Sequence, residues 1–220
     1  MRILFVRHGH PNYEKDCLTE LGHQQAAKAA ERLASEPIKA FYSSTCGRAV
    51  ETAAHTAERF GLPVTSYDFI RELRWSYDDL PIKGNPWELF WALRGRGEVS
   101  IFGEAWREHP CFAKNLFQQS AASVAEQTDV WLESLGYRRE GELYRCVKRC
   151  DDTIAMFSHA GSSSAAMAHI LNLSLPFVFS EWELDFTSIS AIRLNGEAGE
   201  LVIPRLDCLN DHRHILDLLS

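Results

Sequence analysis

Five side chains in this sequence stand where a protein of the α/β type does chemistry. Arg7 and His8 close the apolar run Ile3-Leu4-Phe5-Val6, just ahead of Gly9. His159 closes a second run, Thr153-Ile154-Ala155-Met156-Phe157-Ser158, ahead of Ala160-Gly161. Arg48 follows Tyr42-Ser43-Ser44-Thr45-Cys46-Gly47 at the opening of a helical pattern, and Glu72 follows a further strand-like run at Ile70-Arg71. Short apolar runs bounded by Gly and Pro read as buried strands, and ligand sites in open α/β sheets lie at the carboxyl ends of their strands. Cationic, nucleophilic and acidic side chains would therefore be delivered to one end of a sheet. A plainer reading pairs Arg7 with a carboxylate at the sheet rim, makes His8 a hydrogen-bonded turn residue and gives Glu72 to Arg71 or Arg74.

The elements that must position these residues follow the rhythm strand, helix, strand, helix. Thr19 can cap a helix through Leu21, Gln25, Ala29 and Leu33 that ends before Pro37. Ala40 to Ser43 is the second strand. A helix from about Gly47 places Val50, Ala53, Ala54, Ala57 and Phe60 on its buried side, with Gly61 at its end. From about residue 74 to 149 the rhythm is lost and aromatics crowd in: Trp75, Tyr77, Trp87, Phe90, Trp91, Phe102, Trp106, Phe112 and Phe117. Trp87, Phe90 and Trp91 share one helical face; Val124, Thr128, Trp131, Leu132 and Leu135 share another, closed by Gly136. This is a mainly helical cap over the strand ends, whose aromatics serve chiefly as core.

Tyr137 to Val147 alternates around Glu140-Gly141-Glu142 as a hairpin, with Arg138, Arg139, Arg145, Lys148 and Arg149 as a solvated face. Ser162 to Asn172 is a helix, and Ser188 to Leu194 and Leu201 to Leu206 are strands forming an antiparallel edge. The expected fold class is α/β: a doubly wound, mostly parallel, mixed sheet with helices on both faces and a cap insertion, all within a single domain spanning 1–220.

Composition narrows the function classes. A chain of 220 residues can bury a sizeable core. A net charge of −7 argues against nucleic acid as the main partner, and Arg94-Gly95-Arg96-Gly97 is too short a tract to reverse that. No apolar stretch reaches membrane-spanning length. Six cysteines spread over a long chain, with Arg2 leading straight into a strand, read as reduced thiols in a cytoplasmic protein. Cys146 and Cys150 lack the Cys-x-x-Cys spacing of a zinc site.

Together with Leu18-Thr19-Glu20-Leu21-Gly22-His23-Gln24-Gln25-Ala26, the Arg-His-Gly, Arg48, Glu72 and His159 segments resemble the histidine phosphatase superfamily, the group of phosphoglycerate mutase and the acid phosphatases. The resemblance implies a metal-independent phosphatase, without cofactor, that hydrolyses a small phosphorylated metabolite through a phosphohistidine on His8. Catalysis of phosphoryl transfer is mostly positioning plus fixed positive charge around the peripheral oxygens. Arg7, Arg48 and His159 would supply that charge and those donors. Glu72 would protonate the leaving oxygen and then activate water.

One departure stands in the first turn, where the family often carries a hydroxyl residue and an asparagine: here the run is His10-Pro11-Asn12-Tyr13-Glu14. A phosphate-binding hydroxyl is missing, and His10 and Asn12 become candidate substrate contacts. The Tyr-Gly and paired-arginine features of phosphoglycerate mutases are not found after Glu72, which weakens the alternative of a mutase or bisphosphatase. A non-catalytic phosphate-ligand binding protein is a second alternative, disfavoured because a pure binding site needs neither nucleophile nor acid.

Overall fold

Strand β1, Arg2–Arg7, buries Ile3, Leu4, Phe5 and Val6 completely or nearly so. Because successive side chains point to opposite faces, a strand apolar at every position must be covered on both sides. In the computed structural model, which describes residues 1–76 and 84–218, that is its position. Tyr77 lies outside the described residues.

After β1 the chain makes a two-stranded hairpin, β2 (Pro11–Asn12) and β3 (Cys17–Leu18), and enters helix α1 (Glu20–Leu33). The Thr19 side chain accepts from the Gly22 N–H at 3.1 Å and caps α1 as its type predicts. Strand β4 (Ile38–Ser44), helix α2 (Gly47–Phe60) and strand β5 (Val64–Tyr67) follow. Gly61 ends α2 in the left-handed region at φ 65°, where a side chain would be strained. Val50 departs from expectation: it is 38% exposed, because α2 buries only the narrow stripe of Ala49, Thr52, Ala53, Thr56 and Ala57.

The inserted region holds helices α3 (Pro86–Gly95) and α4 (Leu116–Ser134), then the hairpin β6 (Tyr137–Glu140) and β7 (Leu143–Cys146). Strand β8 (Thr153–Ser158), helices α5 (Ala160–Leu171) and α6 (Leu175–Glu181), strands β9 (Ile189–Arg193), β10 (Leu201–Val202) and β11 (Arg205–Asp211), and a 3₁₀ helix over Arg213–Leu218 follow. The fold is α/β, with a mixed, mostly parallel six-stranded sheet ordered β11-β9-β1-β8-β4-β5. β1, β8, β4 and β5 run parallel; β9 is antiparallel to both β1 and β11.

Leu4, Val6, Ala155 and Phe157 face Leu33 of α1 and Ala53 and Ala57 of α2. Ile3, Phe5, Ile154 and Met156 face the other way, into a core shared by α5, α4 and the aromatics of the insertion. There Phe90 stacks on Phe112 at 4.2 Å between centroids, with Trp106 and Phe117 edge-on. The aromatic surplus is thus mostly core, as expected, with two exceptions: Trp91 and Phe102 are 72% and 80% exposed.

Two further expectations are corrected. The run Leu201 to Leu206 is not one strand: Pro204 interrupts it, β10 joins β7 in a small antiparallel sheet, and β11 pairs with β9. Arg139 is not solvated. Its guanidinium reaches Asp129 of α4, the Tyr144 hydroxyl and the His169 carbonyl, while His169 Nε2 lies 2.8 Å from the same Asp129. This network ties α4, the hairpin and α5 into one block. The six cysteines carry free thiols, and among the described residues no helix is long and apolar enough to cross a membrane.

The turn after β1 is held against α1 at backbone contact distance. A Cβ on Gly22 would lie 2.2 Å from the His10 carbonyl oxygen, and one on Gly9 2.6 Å from the Gly22 oxygen. Gly22→Ala is expected to cost about 2–3 kcal/mol, lowering the melting temperature by several degrees. Gly61→Ala, which meets open space and is strained only in φ, should cost about 1 kcal/mol. Calorimetry of the pair checks this; equal melting temperatures would show that the contact at Gly22 is dispensable.

Candidate active site

The carboxyl ends of β1, β8 and β4 are neighbours in the sheet, so the loops leaving them meet. The His8 N–H donates to the Ser158 carbonyl at 2.9 Å, fixing the turn of β1 beside that of β8. His8 is 2% exposed, and its Nδ1 lies 2.7 Å from the Gly9 carbonyl oxygen. A carbonyl only accepts, so Nδ1 carries the proton and Nε2 presents its lone pair. Arg48 Nε approaches that Nε2 at 3.4 Å.

The His159 ring stands edge-on to His8, 5.1 Å between centroids, and is wholly buried. Its Nε2 meets Ser44 Oγ at 2.9 Å; its Nδ1 is buried without a partner. Burial and the flanking Arg7 and Arg48 push the His8 pKa down to about 3. Burial, then His8 and the same arginines, hold His159 well below the ordinary histidine value.

Each arginine is anchored differently. Arg48, in the first turn of α2, pairs with Asp16 Oδ1, while Asp16 Oδ2 accepts the Gly47 N–H at 2.8 Å. Asp16 reaches both from a left-handed backbone at φ 50° in the β2–β3 turn. Arg7 donates through Nη1 to the Leu184 carbonyl and lies over the Phe186 ring at 4.0 Å, leaving its Nε buried and unpartnered. Burial lowers its pKa, opposed chiefly by Glu72.

Glu72 follows the 3₁₀ turn Asp68–Ile70 and lies against the start of α5. Its carboxylate accepts N–H bonds from Leu73 at 2.9 Å, Gly161 at 3.3 Å and Ser162 at 3.0 Å. Burial raises its pKa; the three backbone donors and Arg7 pull against that and do not prevail. Arg71 is occupied instead by Asp68 and Thr45, so the plainer pairing of Glu72 with Arg71 is not observed. Gly161 belongs to this arrangement sterically, since a Cβ there would meet Glu72 Oε1 at 2.6 Å and the Trp87 ring at 3.3 Å.

The structure therefore brings Arg7, His8, Arg48 and His159 together, with Glu72 in reach of Arg7's field. His10 sits one step outside: its Nδ1 bonds Thr19 Oγ1 at 3.0 Å and its ring packs on Phe186. Asn12 is spent in the β2–β3 turn, where Oδ1 accepts the Lys15 N–H at 3.1 Å. Sequence reasoning missed Asp16, Ser44, Leu184 and Phe186. Only Ser44, just before Cys46 and Arg48, carried a local signal, as a hydroxyl at a strand end. Among the described residues no group of three His, Cys, Asp or Glu side chains is placed to hold a metal ion.

With this geometry in view, comparisons with known proteins are informative. The profile of the histidine phosphatase superfamily (branch 1) matches residues 3–85. A phosphoserine phosphatase variant of Entamoeba histolytica, solved with phosphoserine, is 19% identical with a TM-score of 0.65, over 98% of this chain and 99% of that one. A mycobacterial glucosyl-3-phosphoglycerate phosphatase is 23% identical with a TM-score of 0.63, over 95% and 98%. The α-ribazole phosphatase of Shigella flexneri is 20% identical with a TM-score of 0.63, over 96% and 97%. No curated protein sequence matches significantly. At these identities the solved structures bear on the fold.

Two buried neutral histidines make stability acid-sensitive. The unfolded chain takes up protons near the ordinary value of about 6.5, whereas folded His8 waits until about 3. Below about pH 6.5 the unfolded state therefore binds more protons, and stability falls as pH drops toward 3. The melting temperature is expected to decline through that window, and less steeply in His8→Asn. Identical slopes for the two proteins in a calorimetric pH series would remove His8 as a source.

Proposed function

We propose that this chain, which belongs to the histidine phosphatase superfamily (branch 1), is a metal-independent phosphatase that hydrolyses a small phosphomonoester through a phosphohistidine on His8. The observation that carries the reading is the state of the His8 ring. Its Nδ1 proton is committed to the Gly9 carbonyl at 2.7 Å, and its Nε2 lone pair lies beside Arg48. A neutral imidazole with one fixed tautomer is what attack on phosphorus requires.

The reaction then uses the remaining residues in turn. A phosphoryl dianion enters between Arg7 and Arg48, and its oxygens can satisfy the buried Arg7 Nε and His159 Nδ1 that have no partner in the protein. Nε2 of His8 forms the bond to phosphorus as the bond to the leaving oxygen breaks, in line. Glu72, held toward its protonated form by burial, gives its proton to that oxygen. After the alcohol departs, the Glu72 carboxylate takes a proton from water, which attacks phosphorus and releases phosphate and free His8.

The likeness to phosphatases of small metabolites, a phosphoserine phosphatase and an α-ribazole phosphatase among them, supports hydrolysis over mutase chemistry. A second, independent support is that both nucleophile and acid are present and buried, which a binding protein would not need.

Two variants test the assignment. His8→Ala should abolish hydrolysis of an aryl phosphate assayed with a chelator present. Glu72→Gln should slow phosphohistidine formation from alkyl phosphates by about 10²–10⁴ while sparing its formation from aryl phosphates, whose leaving groups need no proton, and should slow hydrolysis of phospho-His8 alike for both. In the parent enzyme kcat for alkyl esters should fall as pH rises through the elevated Glu72 pKa. Turnover retained by His8→Ala, or equal slowing of phosphohistidine formation from both ester types in Glu72→Gln, would sink the respective role.

A further inference from the structure

We infer that the substrate's leaving group carries a cationic nitrogen, an amine or quaternary ammonium, and not a carboxylate; the inference rests on the phosphatase reading above. A cavity of about 690 Å³ opens beside the phosphoryl pocket, with Arg7 in its wall. Away from Arg7 the wall is aromatic and acidic. Trp87 and Trp91 enter from α3, and Phe179 and Trp182 from α6 and its end. Trp87 and Phe179 are stacked, 17° between planes. Trp91 shows 72% of its surface, so it is not held there by the core.

The charge on the wall is one-sided. Glu88, Glu181 and Glu183 all line the cavity, and among the described residues Arg7 is its sole cation. Glu181 is paired with Arg94, which lies outside the wall. Glu88 closes the capping box of α3 through the Asn85 N–H at 3.0 Å and has no ion-pair partner among the described residues. Glu183 is exposed and has no ion-pair partner among the described residues. A carboxylate in this cavity would face like charges, whereas an ammonium would meet tryptophan faces and carboxylates together, the combination that holds such cations.

A cavity of about 320 Å³ on the other side of Glu72 is mixed in charge, with Asp68 and Glu72 beside Arg71 and Arg74, and has neither Arg7 nor His8 in its wall. A carboxylated leaving group would find arginines there alongside two carboxylates, but it is the acidic, aromatic cavity that adjoins Arg7. The dipolar substrate is then read at both ends: phosphate at the arginines, ammonium at the indoles. Its position beside Gly161 keeps the ester oxygen close to the carboxyl of Glu72.

The test compares kcat/KM for phosphoethanolamine and phosphocholine with that for 3-phosphoglycerate and glycerol 3-phosphate, using an aryl phosphate as reference. In parallel, tryptophan fluorescence is titrated with phosphocholine and with 3-phosphoglycerate. The cationic esters should be favoured by about tenfold or more, the size of a desolvated cation–π contact. Glu183→Gln and Trp91→Ala should each raise KM for phosphocholine several-fold with little change in kcat, shrinking the preference over the aryl reference. Aryl phosphate turnover with carboxylated esters equal or better, or a preference that neither variant alters, overturns this inference alone. Saturable phosphocholine binding without turnover of any ester would uphold the cation site and overturn the phosphatase reading instead.

Discussion

The hydrogen bond from His8 Nδ1 to the carbonyl of its own neighbour, Gly9, is the contact on which the rest of the site depends. It fixes which nitrogen bears the proton, and hence which one can attack. For the bond to exist, the chain must turn sharply after β1, and that turn must be clamped. The clamp is the backbone approach of Gly9 and His10 to Gly22, where no side chain fits, together with the Gly9 N–H bond to Thr52 of α2. A central strand, the first turn of α1 and the first turns of α2 are therefore all committed to one imidazole.

The electrostatics follow from the same commitment. Burial first, and then the two arginines beside it, make His8 resist protonation, so the cations that bind the phosphoryl oxygens also help keep the nucleophile neutral. Free guanidinium groups so close together would repel each other and disorder, and each is restrained by a different device. Asp16 neutralises Arg48 and caps α2 with one carboxylate; Arg7 takes a carbonyl and an aromatic face, with no ion-pair partner among the described residues. The Arg7 charge is the one that adjoins both Glu72 and the large cavity.

What the sequence made legible was local. β1 and β8 show themselves by apolar runs, α1 by Thr19, and α2 by Gly61, because strand burial and helix capping are written in consecutive residues. The gathering of Arg7, His8, Arg48 and His159 was legible for the same reason, each lying at or just past the end of a parallel strand. The anchors were not. Asp16 acts from a strained turn 32 residues before Arg48 in sequence, and Leu184 contributes a backbone oxygen, which any residue would carry. Val50 was misplaced because helical periodicity gives a direction but not the width of the buried stripe. Arg139 was misplaced because a hairpin face looks solvated until α4 and α5 are packed against it.

Gly161 joins the acid to the cavity. Because it lacks a side chain, Glu72 can lie against the start of α5 and accept the Gly161 and Ser162 N–H groups, and the Trp87 ring can close in from α3 on the same spot. Those two donors would favour the carboxylate, yet the packing that brings Trp87 in also strips Glu72 of water, and desolvation wins. One small residue thus lets a single piece of packing do two jobs. It raises the affinity of the acid for its proton and sets an aromatic wall beside the oxygen that receives it. Substrate choice and proton supply are coupled here through contact, so a change in the α3 face that lines the cavity is also a change in the solvation of the acid.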